Sequence, residues 1–352
     1  MLKLILFLDF IFLIFLLNIK KRNKYRAFGF IAFFVVLFFV SSNFIPADDF
    51  DINVYYDQMN IYREYGFFTG YLKGAYADYP IISLFFYLCS FFPDQYLSGI
   101  AAVITYGVIT YLLCKVNLTS KNGYLLFIMY ILVCINYLSV INGIRNMLCY
   151  ALLALALYYY NNGFNYRSIV CLMLSLGIHS SALLLILIYF IGKHANIKYL
   201  VIIFAFILCL NLFPDLFMPI ENIPLVGGLF YRFRVYISES ININSIFIYN
   251  LSLLLFGALF CVIYKKEKSI IGVDLLRGIF LVLPIILFFG NTIIGRIITF
   301  IPFYNLSLCS DYLMLRDINV KLKHLIFLYL ILCFCFTCYT SYSSMILGGP
   351  LW

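Results

Sequence analysis

Long apolar runs follow one another down this chain, separated by short basic or polar stretches, and they do not alternate with polar residues. A run of about twenty apolar residues spans the bilayer hydrocarbon as an α-helix. Lipid offers no partner to a bare backbone, so runs of this kind must hydrogen-bond within themselves as helices. Composition agrees: of 352 residues 65% are hydrophobic and 11% charged, with a mean hydropathy of +1.02. A soluble domain carries about a quarter charged residues. A soluble globular domain and a disordered chain are thereby excluded. So is an outer-membrane β-barrel, whose strands would alternate. The expected class is an all-α polytopic membrane protein, with 1–352 as one transmembrane domain.

The net charge of +9 does not point to nucleic acid, because the Lys and Arg sit in short clusters between apolar runs and report orientation in a bilayer. The eleven Cys lie in or beside apolar runs without a paired His, and read as small membrane-helix residues. The first run, 2–19, is followed by KKRNKYR, the reverse of a signal peptide's charge order, which places the N-terminus outside. The second run, 27–45, returns the chain to the outer face and into a polar connection, 46–79, that holds Asp48, Asp49, Asp51, Asp57, Glu64 and Asp78. Run 80–92 is short for a span and is read as a surface or partly inserted helix. Run 168–191 would reach about 36 Å as one helix. Counting it as one span would export Lys193, Lys198 and the KKEK string, so it is read as two short helices meeting at the outer side near 177–180. The remaining spans are 96–114, 123–141, 145–160, 199–213, 246–264, 270–289, 297–315 and 325–346. That makes about twelve crossings, with both termini outside and a second outer connection at 214–245.

This topology exposes a bias that was not used to build it. Of seventeen basic residues assigned inside, twelve are Lys; of seven outside, five are Arg, namely Arg63, Arg145, Arg232, Arg234 and Arg296. Membrane insertion does not separate Lys from Arg, whereas bidentate capture of phosphate or carboxylate does. The outer face is therefore expected to hold an anion.

Arg145, in INGIRNMLCYALLALALYYY, would lie where an outer turn enters a span, able to grip a diphosphate; the alternative is a snorkelling Arg that anchors a helix end. His179, in SLGIHSSALLLILIYF, sits at the proposed helix break with Ser180 as N-cap, placed for general base or phosphate donor, or else for packing. Arg232 and Arg234, in GGLFYRFRVYISES, suit sugar stacking and phosphate pairing as well as they suit an interfacial aromatic segment. Arg296, in GNTIIGRIITF, repeats the setting of Arg145 at the start of an outer-side span. Asp51, Asp57 and Glu64 are candidates for a base or for sugar binding, or form a solvated acidic face. No HExxH, Walker, Rossmann or GxSxG pattern occurs and the acids lack metal-site spacing, so neither metal nor cofactor is expected. Asp9, and Asp274 with Arg277, read as polar contacts within the bundle.

Taken together, DINVYY at Asp51 to Tyr56, the IRN turn before an Ala-rich helix with Ala151, Ala154 and Ala156, and the string IHSSAL with His179, Ser181 and Ala182 resemble the EpsG family of Wzy-type polysaccharide polymerases. Arg296 matches a later Arg of that pattern, and in the first outer connection, which departs from it as SSNFIPADDFD, Asp51 and Tyr55 keep the Asp-to-Tyr spacing. The resemblance implies a GT-C-like fold with short broken helices near the outer face of a bacterial plasma membrane. It implies an enzyme joining undecaprenyl-diphosphate-linked oligosaccharide units, with a chain-length regulator as partner. Arg145 and Arg296 would hold the diphosphate, His179 would act as base or phosphate donor, and Arg232, Arg234, Asp51 and Tyr55 would bind the glycan. Two other readings stand beside it. One is a single-sugar transferase on the same lipid; the other is a flippase, whose expected internal repeat and midplane charges are not visible in the sequence.

Overall fold

The computed structural model describes residues 2–19, 24–46, 48, 50–115, 125, 128–129, 131–132, 135, 137–194 and 290–307. Among these residues there are helices and no strands. The described residues fall into two compact units, one holding those up to His179 and the other those from Ser180 to Ser307. Parts of 123–141 and of 297–315, and all of 199–213, 214–245, 246–264, 270–289 and 325–346, lie outside the described residues, as do Asp274 and Arg277.

In the first unit α1 (Leu2–Asn18) and α2 (Lys24–Ser42) form the apolar pair expected from the first two runs, and α2 packs in turn on α5 (Tyr96–Lys115). Arg26 joins the pair: its Nε donates to Leu16 O at 3.1 Å, a carbonyl near the end of α1 that also accepts Ile19 N–H at 3.3 Å. Two stretches among the described residues, Tyr25–Ser42 and Tyr96–Lys115, are long and apolar enough to cross a membrane.

The polar connection 46–79 is not an irregular loop: α3 runs Asp51–Lys73. Ile52, Tyr55, Met59 and Tyr62 are buried along it, and their three- and four-residue spacing makes one helical stripe facing α4 (Pro80–Cys89), on which α3 packs. Asp51 in the first turn and Lys73 in the last suit the helix dipole. The helix breaks at Gly66, where φ is 70° and ψ is −177°, a region that only glycine occupies cheaply. At ten residues α4 reaches about 15 Å, half a bilayer core.

After α6 (Tyr137–Asn142) a single bend at Gly143 leads into α7 (Ile144–Asn161), which packs along α8 (Asn165–Leu176). Small residues allow the approach. Ala151, Ala154 and Ala156 are buried on α7, Ser168 Oγ donates to Ala156 O at 2.9 Å, and Ser175 Oγ donates to Cys149 O at 2.9 Å. Run 168–191 is broken, with α8 ending at Leu176.

In the second unit α9 (Ser181–His194) begins just past Ser180, whose carbonyl accepts Leu183 N–H at 3.0 Å. The helix α10 (Gly290–Ser307) carries Pro302 inside it. Tyr304 of α10 lies 6.3 Å from Tyr189 of α9, ring to ring.

Candidate anion site at the start of α7

Gly143 precedes α7 and supplies no side-chain cap, so the first turn of α7 leaves its N–H groups to other partners. Arg145 stands in that turn, where the helix dipole already concentrates positive charge. Its guanidinium carbon lies 4.3 Å from the Tyr76 ring centroid and 4.8 Å from that of Tyr79. The two rings hold the cation by the aromatic quadrupole and leave its in-plane donors alone. Arg145 Nε and Nη2 are buried with no hydrogen-bond partner among the described residues. Those two nitrogens form one edge of the fork, the edge that takes two oxygens of a phosphate or carboxylate at once. Asn146 Oδ1, on the next residue, is likewise buried and without a partner.

The tyrosines are held by the turn between α3 and α4. Tyr79 N–H donates to Tyr76 O at 2.9 Å, Ser83 Oγ donates to the same carbonyl at 2.8 Å, and Pro80 opens α4 with its φ already helical. Tyr79 also carries His179: the rings stack at 6.0 Å and 24°, and His179 is buried. His179 sits in the bend after α8, its N–H donating to Ser175 O at 3.1 Å. On α3, Tyr55 is buried between Phe86, stacked at 5.0 Å, and Tyr76, at 6.0 Å. Burial, then Tyr76, then Asp51 push its phenol well above the usual tyrosine range, while the charge and backbone N–H of Arg145 oppose them. Tyr55 is thus a neutral hydroxyl beside the cation, and Asp51 is near enough for its charge to be felt there.

Four of the candidate residues from the sequence, Arg145, His179, Tyr55 and Asp51, therefore converge within the first unit. Arg296 belongs to the second. Because α10 starts at Gly290, Arg296 lies nearly two turns inside the helix and not at its start. A single internal glycine such as Gly295 costs only about 1 kcal/mol, so it does not stop a helix from extending through it. Arg296 is half-buried and engaged by neighbours. Arg232 and Arg234 lie outside the described residues. Arg63, counted among the outer arginines, is consumed by structure: it donates to Ser90 O at 2.8 Å, Phe92 O at 2.7 Å and Asn60 Oδ1 at 2.7 Å, and pairs with Asp94 at 2.7 Å. Asp57 and Glu64, also on α3, join no contact of this site. Reading the sequence missed Tyr76 and Tyr79, whose signal was an aromatic pair three apart directly before a proline, in GAYADYP.

The EpsG family model matches residues 27–347. No curated protein and no solved structure matches the chain.

Proposed function

Because the chain belongs to the EpsG family, a membrane-protein family of the polysaccharide-polymerase type, we propose that it is a glycosyltransferase of the outer face of the bacterial plasma membrane, joining oligosaccharide units carried on undecaprenyl diphosphate. The observation that carries this reading is the buried, unpaired edge of Arg145 between Tyr76 and Tyr79. A diphosphate fits that edge, and charge grows on the phosphate oxygen that leaves the anomeric carbon as the C–O bond breaks, which is when the guanidinium stabilises it most. The acceptor hydroxyl oxygen forms the new bond to the anomeric carbon, its proton passes to a base, and the lipid diphosphate leaves with the electron pair of the broken bond. His179, on the same tyrosine as Arg145, is assigned as that base or as a donor to the phosphate. Tyr55 and Asp51 are assigned to the sugar next to the diphosphate.

On the sequence pattern alone, Arg296 takes a share of the diphosphate and Arg232 and Arg234 the lipid-linked glycan. The arrangement of about twelve crossings, GT-C-like, with a chain-length regulator as partner, belongs to the same proposal. The test is a deletion strain complemented with wild type, Arg145→Ala or His179→Ala at matched membrane levels, read as the ladder of surface-glycan lengths. Arg145→Ala is expected to abolish the long products. Full ladders from both variants would overturn the assignment, and accumulation of the unpolymerised unit on the inner leaflet would favour a flippase instead.

A further inference from the structure

The first turn of every α-helix leaves N–H groups without intrahelical acceptors. At α3 the preceding Phe50 makes no side-chain cap, and at α4 Tyr79 makes none. Both helix starts are capped instead from distant parts of the chain. Asn142 Oδ1, at the end of α6, accepts Ile52 N–H of α3 at 3.2 Å. Gly177 O, at the end of α8, accepts Ile81 and Ile82 N–H of α4 at 3.1 and 3.3 Å. The first acceptor stands three residues before Arg145 and the second two before His179. The helices they hold carry Tyr55 and follow the turn that bears Tyr76 and Tyr79. Each reactive side chain is thus fastened, through one cap, to the aromatic wall it works against.

We infer that Asn142 is a positioning residue of the anion site, its side-chain carbonyl capping α3 so that Tyr55 and Asp51 stay registered against Arg145. This rests on the function proposed above. Of the two caps it alone can be removed by substitution, because the Gly177 acceptor is backbone. The Asn142 carbonyl is taken up by Ile52 N–H, so the residue acts through α3, and its loss should spare binding of the diphosphate and damage the geometry around it.

The experiment uses the full-length protein in nanodiscs, with undecaprenyl diphosphate as the binding probe and hydrogen exchange read over residues 51–55, with 96–115 as control. Asn142→Ala should speed exchange at the start of α3 by about fivefold, as expected for one lost hydrogen bond, leave 96–115 unchanged, keep probe affinity within about twofold, and shorten the glycan ladder in cells. Asn142→Asp, which retains the acceptor and suits a helix N-terminus, should restore both the exchange protection and the ladder. Unchanged exchange in Asn142→Ala, or failure of Asn142→Asp to restore it, overturns the inference. Arg145→Ala serves as the separate arm: if it keeps probe affinity and ladder, the function reading falls whatever Asn142 does.

Discussion

At Arg145 two effects act against a bare cation and both are relieved by one ligand. The residue lies in the first turn of a helix, where the dipole disfavours positive charge by roughly 0.3–1 kcal/mol. Its Nε and Nη2 are withdrawn from water without a replacement acceptor, a desolvation cost of about 1–3 kcal/mol per group. The tyrosine faces return only about 0.5–2 kcal/mol. An anion on the free edge reverses the balance. Arg145→Ala is expected to lower the polymerisation rate by about 10²–10³-fold, the usual consequence of removing one transition-state donor. Arg145→Lys should recover less than about a tenth of wild type, because a lysine keeps the charge but has neither fork nor planar face; initial rates on extracted lipid-linked units would measure both. Tyr79→Ala should cost about 0.5–2 kcal/mol, since the ring face lies against Arg145 and meets His179. Tyr55 gives a pH test. Its pKa is displaced upward, so the neutral phenol is the form present throughout the physiological range and no base strength comes from it. Tyr55→Phe is therefore expected to leave both limbs of the rate–pH profile in place; disappearance of the alkaline limb would mean that the phenol itself titrates in catalysis.

At the scale of the element, what could be read in the sequence depended on whether length and spacing or polarity carried the signal. The break at 177–180 was legible because one span of 168–191 would have reversed the orientation of every later basic cluster, and the helix does end at Leu176. The identity of α3 was hidden by its acids. Its buried stripe of Ile52, Tyr55, Met59 and Tyr62 has helical spacing, but the acids and amides between them mark the stretch as polar. The caps could not be read, since nothing local pairs Asn142 with Ile52 or Gly177 with Ile81. Two substitutions test these elements by thermal unfolding of the purified protein. Gly66→Ala should cost about 1–3 kcal/mol, because the glycine-only backbone at φ 70° and ψ −177° must either persist under strain or straighten α3. At Gly177 a methyl group would run into the Ile81 side chain, so Gly177→Ala should cost about 1–3 kcal/mol by forcing the end of α8 away from α4. It should also lower activity beyond its effect on folding, since the Gly177 carbonyl holds the turn that bears Tyr79.

For the whole molecule, the excess of Arg over Lys on the side that the sequence assigns as outer led to the candidate anion site, although the arginines it grouped have different duties. Arg63 ties α3 to the end of α4, and its ion pair with a partly exposed Asp94 contributes at most about 1 kcal/mol. Arg145 alone of the two described in the first unit has a free edge. A sequence assigns charges to a side but cannot say which are already spent on backbone carbonyls. The sidedness itself is open to direct measurement, because α5 and α7, at about 30 and 27 Å, separate the two ends of the first unit. One end carries the exposed Phe68 and Phe92, near Arg63; the other carries the exposed Phe164, where Arg167 rests on Phe164 and Tyr159. In a background lacking the eleven native cysteines, Phe68→Cys and Phe92→Cys should react with a membrane-impermeant maleimide on intact cells, and Phe164→Cys only after the membrane is opened. The reverse pattern would put Arg145 on the cytosolic side, out of reach of a lipid-linked donor delivered to the outer leaflet, and the chemistry proposed for it would have no substrate.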